Sequence, residues 1–410
     1  MNQNYSKWIC CQIGAREHYA IPRALHQQGQ LIYLITDAWI SSHSKLNRLP
    51  KTVLAKLRER FHPDLAQASV QAFTNSLIPF EVAQKIKKET QWDLILARNH
   101  WFQQQAMQSL YAITYQLTAP PILFAYSYAA LELFRYAKIK GWRTILGQID
   151  PGIVEEKLVA EEHTKHLSYQ SNCQLAPPNY WNSWQEECSL ADQIIVNSPW
   201  SSQALQQVGI QKSKINIIPL VYQPPDLAHK FVRLYPSTFS KERPLRVLFL
   251  GQVILRKGIA ALLEAAKLLR GQPIEFWLVG SQGIARPQPN HGEQVKWIGA
   301  VPRSAVVEYY QQADIFLFPT LSDGFGLTQL EAQAWKLPII ASKFCGEVVE
   351  DKFNGLILQE VTGKTIADVL QFCLHNPRKL ETFSQQSTST DNFSLLQLQH
   401  HLQSLSYAII

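Results

Sequence analysis

The sequence predicts an α/β protein built of two Rossmann-like domains that face each other across a cleft. Three observations carry this expectation. Short, near-continuously apolar runs alternate with amphipathic helical stretches along the chain, the pattern of parallel strands buried on both faces beneath crossover helices. The alternation breaks at "VYQPPDLAHKFVRLYPSTFSKERP" (Val221 to Pro244), which holds four prolines and no clear period. The length, 410 residues, exceeds what one core organises and suits two.

Taken in order, the first half offers strands at Trp8–Ile13, Leu31–Thr36, Trp92–Ala97, Pro121–Ala125, Arg143–Gln148, Gln193–Asn197 and Ile215–Ile218. After the break they fall at Leu245–Leu250, Ile274–Val279, Val295–Ile298, Ile315–Phe318 and Pro338–Ala341. Helical patterns fill the gaps, as at Lys257–Arg270, where Leu262, Leu263, Ala266 and Leu269 share a face. The expected organisation is an N-terminal domain over 1–222, a linker over 223–244, a second domain over 245–388 and a terminal helix over 389–410 that crosses back to the first.

Composition narrows the class. With 46% hydrophobic and 17% charged residues the chain suits a packed core and excludes extensive disorder. No run is apolar and long enough for a membrane helix, and the first residues lack the pattern of a secretory leader. Six cysteines without metal or disulfide spacing read as reduced thiols, so a cytoplasmic location is expected. Of the net charge of +7, almost all lies in the first half. The basic run Lys45–Arg60 reads as a solvated helix, or as a contact with an anionic membrane surface or a phosphorylated acceptor. No nucleic-acid-reading motif is present.

The stretch "LSDGFGLTQLEAQAWKLPIIAS" (Leu321 to Ser342) carries the first sign of chemistry. A strand ends at Phe318, a loop with Gly324 and Gly326 follows, and a helix opens near Thr328. Beyond the carboxyl ends of strands in such sheets, helix N-termini present N–H groups to anions. Glu331, a turn into the helix, has the reach to accept hydrogen bonds from two vicinal ribose hydroxyls, while Asp323 faces what lies past the phosphates. A capping box, Thr328 to Glu331, explains the same residues without a ligand. In "LFLGQVILRKGIAALLEAAKLL", Arg256 and Lys257 open a helix whose dipole disfavours cations there, which an anion between the two loops accounts for.

These two segments, with "GAVPRSAVVEYYQQADIFLFP" and "ECSLADQIIVNSPWSSQALQQVGIQKSKINIIPL", resemble the GT-B-fold retaining glycosyltransferases of the family 4 group (glycosyl transferases group 1). The likeness runs from about Glu187 to Leu358 and is weaker before it. It implies transfer of a sugar from a nucleotide-diphosphate donor to a hydroxyl of a glycan, lipid or natural product, with configuration retained and neither cofactor nor metal required. It also implies roles. Lys257 contacts the diphosphate, Glu331 the ribose and Asp323 the donor sugar. Backbone amides at Phe325, Gly326 and Leu327 reach the phosphates or the sugar, Val301 and Arg303 hold the base, and Gly14 belongs to the loop that closes over the donor.

The chain departs from the family pattern at three points. Asp323 is one methylene shorter than the usual glutamate. Gln252 stands where an arginine is common, with Arg256 in position to replace it. No His-x-His occurs in "AYSYAA" at Ala125–Ala130. Asp150 in "GQID" is then the polar group expected to face the anomeric centre, unless it serves only the turn before Pro151. His18 and His100 sit beside aromatics, where packing suffices. His163 and His166, below Glu155 and Glu156, read as part of an exposed acidic helix because no third ligand is fixed. A nucleotide-sugar-binding protein without turnover is the alternative. A dinucleotide oxidoreductase is disfavoured because "IGAREH" lacks the G-x-G-x-x-G spacing.

Overall fold

The structure, a computed structural model, describes residues 6–40, 57, 59–87, 90–169, 173–286, 293–387 and 390–407. It contains two parallel sheets. The first orders its strands β3-β2-β1-β4-β5-β6-β7: β1 Trp8–Gln12, β2 Leu31–Thr36, β3 Val70–Ala72, β4 Ile122–Tyr126, β5 Arg143–Gly147, β6 Gln193–Val196 and β7 Ile215–Ile217. The second runs β10-β9-β8-β11-β12-β13: β8 Leu245–Leu250, β9 Ile274–Val279, β10 Val295–Gly299, β11 Ile315–Phe318, β12 Ile339–Ser342 and β13 Gly355–Leu358. Every residue of β1, β4, β11 and β12 is buried, as central strands covered by helices on both faces require.

The first sheet carries α1 Ala20–Gln27, α2 Thr74–Lys87, α3 Gln91–Thr114, α4 Leu131–Ile139, α5 Ile153–Lys165, α6 Pro178–Leu190 and α7 Pro199–Gln207. On the second lie α8 Ile259–Leu268, α9 Val306–Gln312, α10 Leu327–Ala334, α11 Gly363–His375 and α12 Pro377–Gln385. The last helix, α13 Leu395–Tyr407, packs Leu398, Leu402 and Leu405 into the core of the first sheet beside α1. Arg143 donates to the carbonyls of Leu405 and Ser406 there.

One expectation from sequence is corrected and two strands are added. Trp92–Ala97 is not a strand but the start of the 24-residue α3, set by a capping box between Thr90 and Asp93. Its apolar run reads as a strand because most of this face is half-buried at the cleft. The strands β3 and β13 carry too short or too weak an apolar pattern to stand out, since they lie at or near sheet edges. The basic run Lys45–Arg60 lies outside the described residues except for Leu57, Glu59 and Arg60. Arg60 Nη1 donates to both carboxylate oxygens of the buried Asp37.

In each sheet the chain reverses its direction of winding next to the first strand, at β1/β4 and at β8/β11. Ligands in open α/β sheets bind at such points. Here the two points face each other. A Cβ on Gly324, in the loop after β11, would lie 2.2 Å from the carbonyl oxygen of Ile149 in the first sheet's β5–α5 loop. Only glycine permits that approach.

Candidate functional site

Below the second switch point, the turn Leu255–Lys257 after β8 and the loop Thr320–Asp323 after β11 are hydrogen-bonded to each other. Leu321 donates its N–H to the Arg256 carbonyl at 2.9 Å, and Arg256 Nη1 donates to the Ser322 carbonyl at 2.8 Å. Gly258 holds this contact: its φ is 74°, and a Cβ would overlap the Pro319 carbonyl. The turn delivers Lys257 to Asp323, with which it forms a direct ion pair above the Phe318 ring. Burial works to raise the Asp323 carboxyl, but Lys257, Arg256 and the Phe325 N–H outweigh it and hold it below the usual carboxylate range.

The helix α10 begins at Leu327, behind Gly326 at φ 89°, with no side chain capping it. Thr328 is therefore inside the helix, and the capping-box reading of Glu331 fails. Glu331 instead accepts a 2.8 Å hydrogen bond from the Tyr310 hydroxyl on α9. Burial raises its carboxyl, with Tyr310 and Arg303 acting the other way. The buried Arg233, from the linker, fixes both helices. Its guanidinium donates to the carbonyls of Tyr310, Gln311 and Ala313 at the end of α9 and of Trp335 and Lys336 beyond α10. A cation at two helix C-termini meets carbonyls that the helices themselves leave unmet.

Two cavities open between the sheets along α10. One, of about 690 Å³, is lined by Glu331, Arg303, Tyr222, Leu327, Glu17 and His18 among others. The second, of about 410 Å³, is lined by Lys257, Arg256, Asp323, Gln252, Gly251 and the start of α10 from Phe325 to Thr328. Leu327 and Glu17 border both, so the two acids that flank the glycine turn look into adjoining chambers. The opposite wall comes from Arg16, Glu17 and His18, and Glu17, His18 and the buried Tyr19 have φ of 52°, 50° and 57°. Three successive non-glycine residues in this region store strain, a common property of ligand loops.

The remaining sequence-predicted residues fall as follows. Gln252 is exposed in the smaller chamber, and Arg256 lies beside it. Gly14 lines neither chamber. Its N–H donates to Asp37 and the Arg60 guanidinium packs against it, so Arg16 and Glu17 are what the loop presents to the cleft. Val301 packs into the core under α9 and α10, near Arg303. Asp150 lies against the loop that carries Asp323: a Cβ on Gly324 would come within 3.5 Å of its Cα. Its Oδ1 accepts from the Tyr128 hydroxyl, Gln148 Nε2 and the Gly152 N–H, as a turn residue does, and it lines two cavities, one on the first sheet and one shared with Ile254, Leu255 and Arg256 of the second half. His18 stands beside Arg303 and Arg23 with its ring shifted to lower values, by burial first and by these cations next. His100 is exposed on α3 against Gln104, away from the cleft. Among the described residues no cluster of His, Cys, Asp and Glu has the arrangement of a metal site.

The exposed-acidic-helix reading of α5 fails at its first turn. Glu156 accepts from the Ala176 N–H and from Trp181 Nε1. Glu155 crosses the cleft to accept from Ser322 Oγ at 2.8 Å, with Arg256 at 3.4 Å. Burial pushes Glu155 up to about 7, despite Arg256 and Ser322 acting to lower it. Sequence spacing carries no trace of this contact, which joins residues 167 positions apart. Tyr310 is likewise invisible before the fold is known.

Residues 234–390 match the family model Glycosyl transferases group 1. The Erwinia amylovora amylovoran biosynthesis glycosyltransferase AmsK is 25% identical over 179 residues, 40% of this chain and 42% of that protein. The D-inositol 3-phosphate glycosyltransferase of Kribbella flavida is 24% identical over 255 residues, 54% of this chain and 59% of that one. The chain spans about half the length of the curated relatives it matches. Among solved structures, Anabaena Alr3699/HepE in complex with UDP aligns over 98% of this chain and 100% of its own, at 15% identity and a TM-score of 0.60. Sucrose-phosphate synthase from Thermosynechococcus elongatus aligns over 98% and 100%, at 16% identity and a TM-score of 0.65. The architecture is GT-B, and the match to the glycosyl transferases group 1 model falls on the second half of the chain.

Proposed function

We propose that the chain is a retaining glycosyltransferase that moves a sugar from a nucleoside diphosphate donor to an acceptor hydroxyl. The observation that supports this most is the pairing of Lys257 with Asp323 in one chamber and of Glu331 with Tyr310 in the next, at the two sides of a helix N-terminus. A nucleoside diphosphate sugar spans such a pair of chambers. Its ribose hydroxyls donate to Glu331 and its base lies toward Arg303 and Tyr222. The diphosphate meets Lys257, Arg256 and the first N–H groups of α10, and the sugar turns toward Asp323. The UDP carried by the Anabaena neighbour and the glycosyltransferase names of the relatives agree with this reading.

In the proposed step the acceptor oxygen forms its bond to the anomeric carbon as the bond from that carbon to the phosphate oxygen breaks. The electron pair goes to that oxygen, which takes the acceptor's proton, leaving a nucleoside diphosphate and a glycoside of unchanged configuration. Lys257 is the cation that stabilises the charge developing on the leaving group. Neither metal nor other cofactor is invoked. Asp150 borders the reaction from the acceptor side. Cytosolic residence, with Lys45–Arg60 touching an anionic membrane face, completes the proposal.

The test is a panel of nucleotide sugars against the purified chain, read by thermal shift and by released nucleotide. Stabilisation and slow turnover with one donor supports the reading. Stabilisation without turnover, after a broad acceptor panel, supports nucleotide-sugar binding alone, and no response to any donor overturns both.

A further inference from the structure

Ser322 is fully buried at the join between the two halves of the chain, and its hydroxyl is held from the first half. Trp200 Nε1, on α7, donates to Ser322 Oγ at 3.0 Å, and Ser322 Oγ donates to Glu155 Oε2, on α5, at 2.8 Å. The next residue is Asp323. Its N–H donates to the Phe344 carbonyl at 3.0 Å, and the Trp200 ring stands edge-on to Phe344 at 5.0 Å. On the far side Ser201 Oγ lies 3.5 Å from the Gly324 carbonyl. Side chains of the first half thus grip the loop just before and just after Asp323.

Arg256 separates two chambers. The front one holds Lys257 and Asp323, and the rear one, of about 450 Å³, holds Glu155. Glu155 lines the rear chamber and not the front one, so it acts on a ligand in front only through what it touches. Its Oε2 is 3.4 Å from Arg256 Nη1. That nitrogen donates to the Ser322 carbonyl at 2.8 Å and lies 3.9 Å from Asp323 Oδ2. One guanidinium nitrogen therefore serves three oxygens, two of them on carboxylates. A diphosphate entering the front chamber is a further anion competing for it.

The charges around Glu155 set the direction of that competition. Arg256 attracts it from the turn after β8, while Asp150, in the β5–α5 loop, and Asp323, paired with Lys257, oppose its ionisation. Glu156, its neighbour on α5, is turned to the Ala176 N–H and Trp181 Nε1, and α7 carries no titratable side chain. His163, Cys173, Tyr128 and Tyr180 complete the titratable lining of the rear chamber. Burial pushes Glu155 up to about 7 even with Arg256 beside it, so an anion that draws Arg256 away favours the protonated carboxyl further.

We propose that Glu155 is a positioning residue of the donor chamber, holding the Asp323 loop through Ser322 and restraining Arg256 in competition with the diphosphate. The proposal rests on the glycosyltransferase reading and adds to it a residue that touches neither donor nor acceptor. The two tasks separate by charge. The Ser322 hydrogen bond needs only an oxygen and survives protonation, whereas the hold on Arg256 needs the carboxylate. Donor affinity is therefore level while Glu155 is protonated and falls as the pH rises past about 7.

The test is calorimetric titration of UDP-glucose, GDP-mannose and ADP-glucose into the full chain at pH values on either side of 7. The parent is compared with Glu155→Gln, Glu155→Ala and Ser322→Ala, and nucleotide release is followed with whichever nucleotide sugar binds. The parent should lose at least about threefold in affinity across the range, and Glu155→Gln should lose that fall while keeping kcat within about threefold. The readout is the difference between these two proteins, because a slope from His18, in the chamber of Glu331, is common to both. Ser322→Ala should keep the parent's slope and lose about tenfold in kcat, since the Asp323 loop is no longer held. Glu155→Ala should show both changes. A merely structural role lowers the melting temperature without separating slope from kcat. The proposal is overturned if Glu155→Gln keeps the parent's slope, or if Ser322→Ala and Glu155→Ala release nucleotide as fast as the parent. Failure of all three nucleotide sugars to bind the parent removes the donor reading and this proposal with it, whereas binding with a shared slope removes this proposal alone.

Discussion

The two switch points share a topology and differ in chemistry. At β8/β11 the polar groups are charged and already satisfied: Lys257 by Asp323, Arg256 by Ser322 and Glu155, Glu331 by Tyr310. At β1/β4 Gln12, Tyr126 and Ser127 retain oxygens with no hydrogen-bond partner among the described residues, beside stacked tyrosines and with Arg16, Arg98 and Asp150 in the same lining. One crevice is prepared for an anion that exchanges places with internal ion pairs. The other leaves buried polar groups unmet. Two sheets of like topology thus carry different side chains at their switch points, paired at one and partly unmet at the other.

The comparison breaks most visibly at Lys257. Lys257→Ala removes the leaving-group cation and leaves Asp323 buried without its main partner, so kcat should fall by roughly 10²-fold or more, the scale for removing one electrostatic stabiliser of a transition state. Steady-state rates with the donor identified by the panel check it. Next comes Glu331→Ala, which should weaken nucleotide binding by about 1–3 kcal/mol through the lost ribose contacts, with a smaller change in kcat. A rise in KM for the donor without that loss of affinity would argue against the ribose role. Tyr310→Phe removes only the hydroxyl that orients Glu331, and about 1 kcal/mol of donor affinity is expected to go with it.

The smallest effect concerns the join between the two regions. Burial places the Glu155 carboxyl at about 7 in the folded chain, against an ordinary 4.5. Between those values the folded state binds more protons than the unfolded one, so Glu155 makes stability fall as pH rises through about 4.5 to 7 and contributes no slope outside that window. Glu155→Gln keeps an acceptor for Ser322 and should flatten that part of the profile. Denaturant titrations at several pH values measure it, and an unchanged slope in the variant would remove Glu155 as its source.

Most of the fold is legible in the sequence, because strands buried on both faces write themselves as apolar runs. Failure came where a strand is short and near an edge, as at Val70–Ala72 and Gly355–Leu358, and where a half-buried helix start, Trp92–Ala97, imitates a strand. The glycine turn and its flanking acids are local in sequence, and so their neighbourhood could be read. What could not be read joins distant segments: Glu155 with Ser322, Tyr310 with Glu331, Arg233 with the ends of two helices, and Gln12 with Ser127. Each depends on a register between elements that no spacing along the chain records.

The most direct measurement is calorimetric titration of UDP, GDP and ADP into the parent chain, Lys257→Ala and Glu331→Ala at one fixed ionic strength. The account predicts that one nucleotide binds the parent and that both substitutions weaken it, each by about 1–3 kcal/mol. Equal affinity in all three proteins would contradict the assignment of the charged switch point to a nucleoside diphosphate.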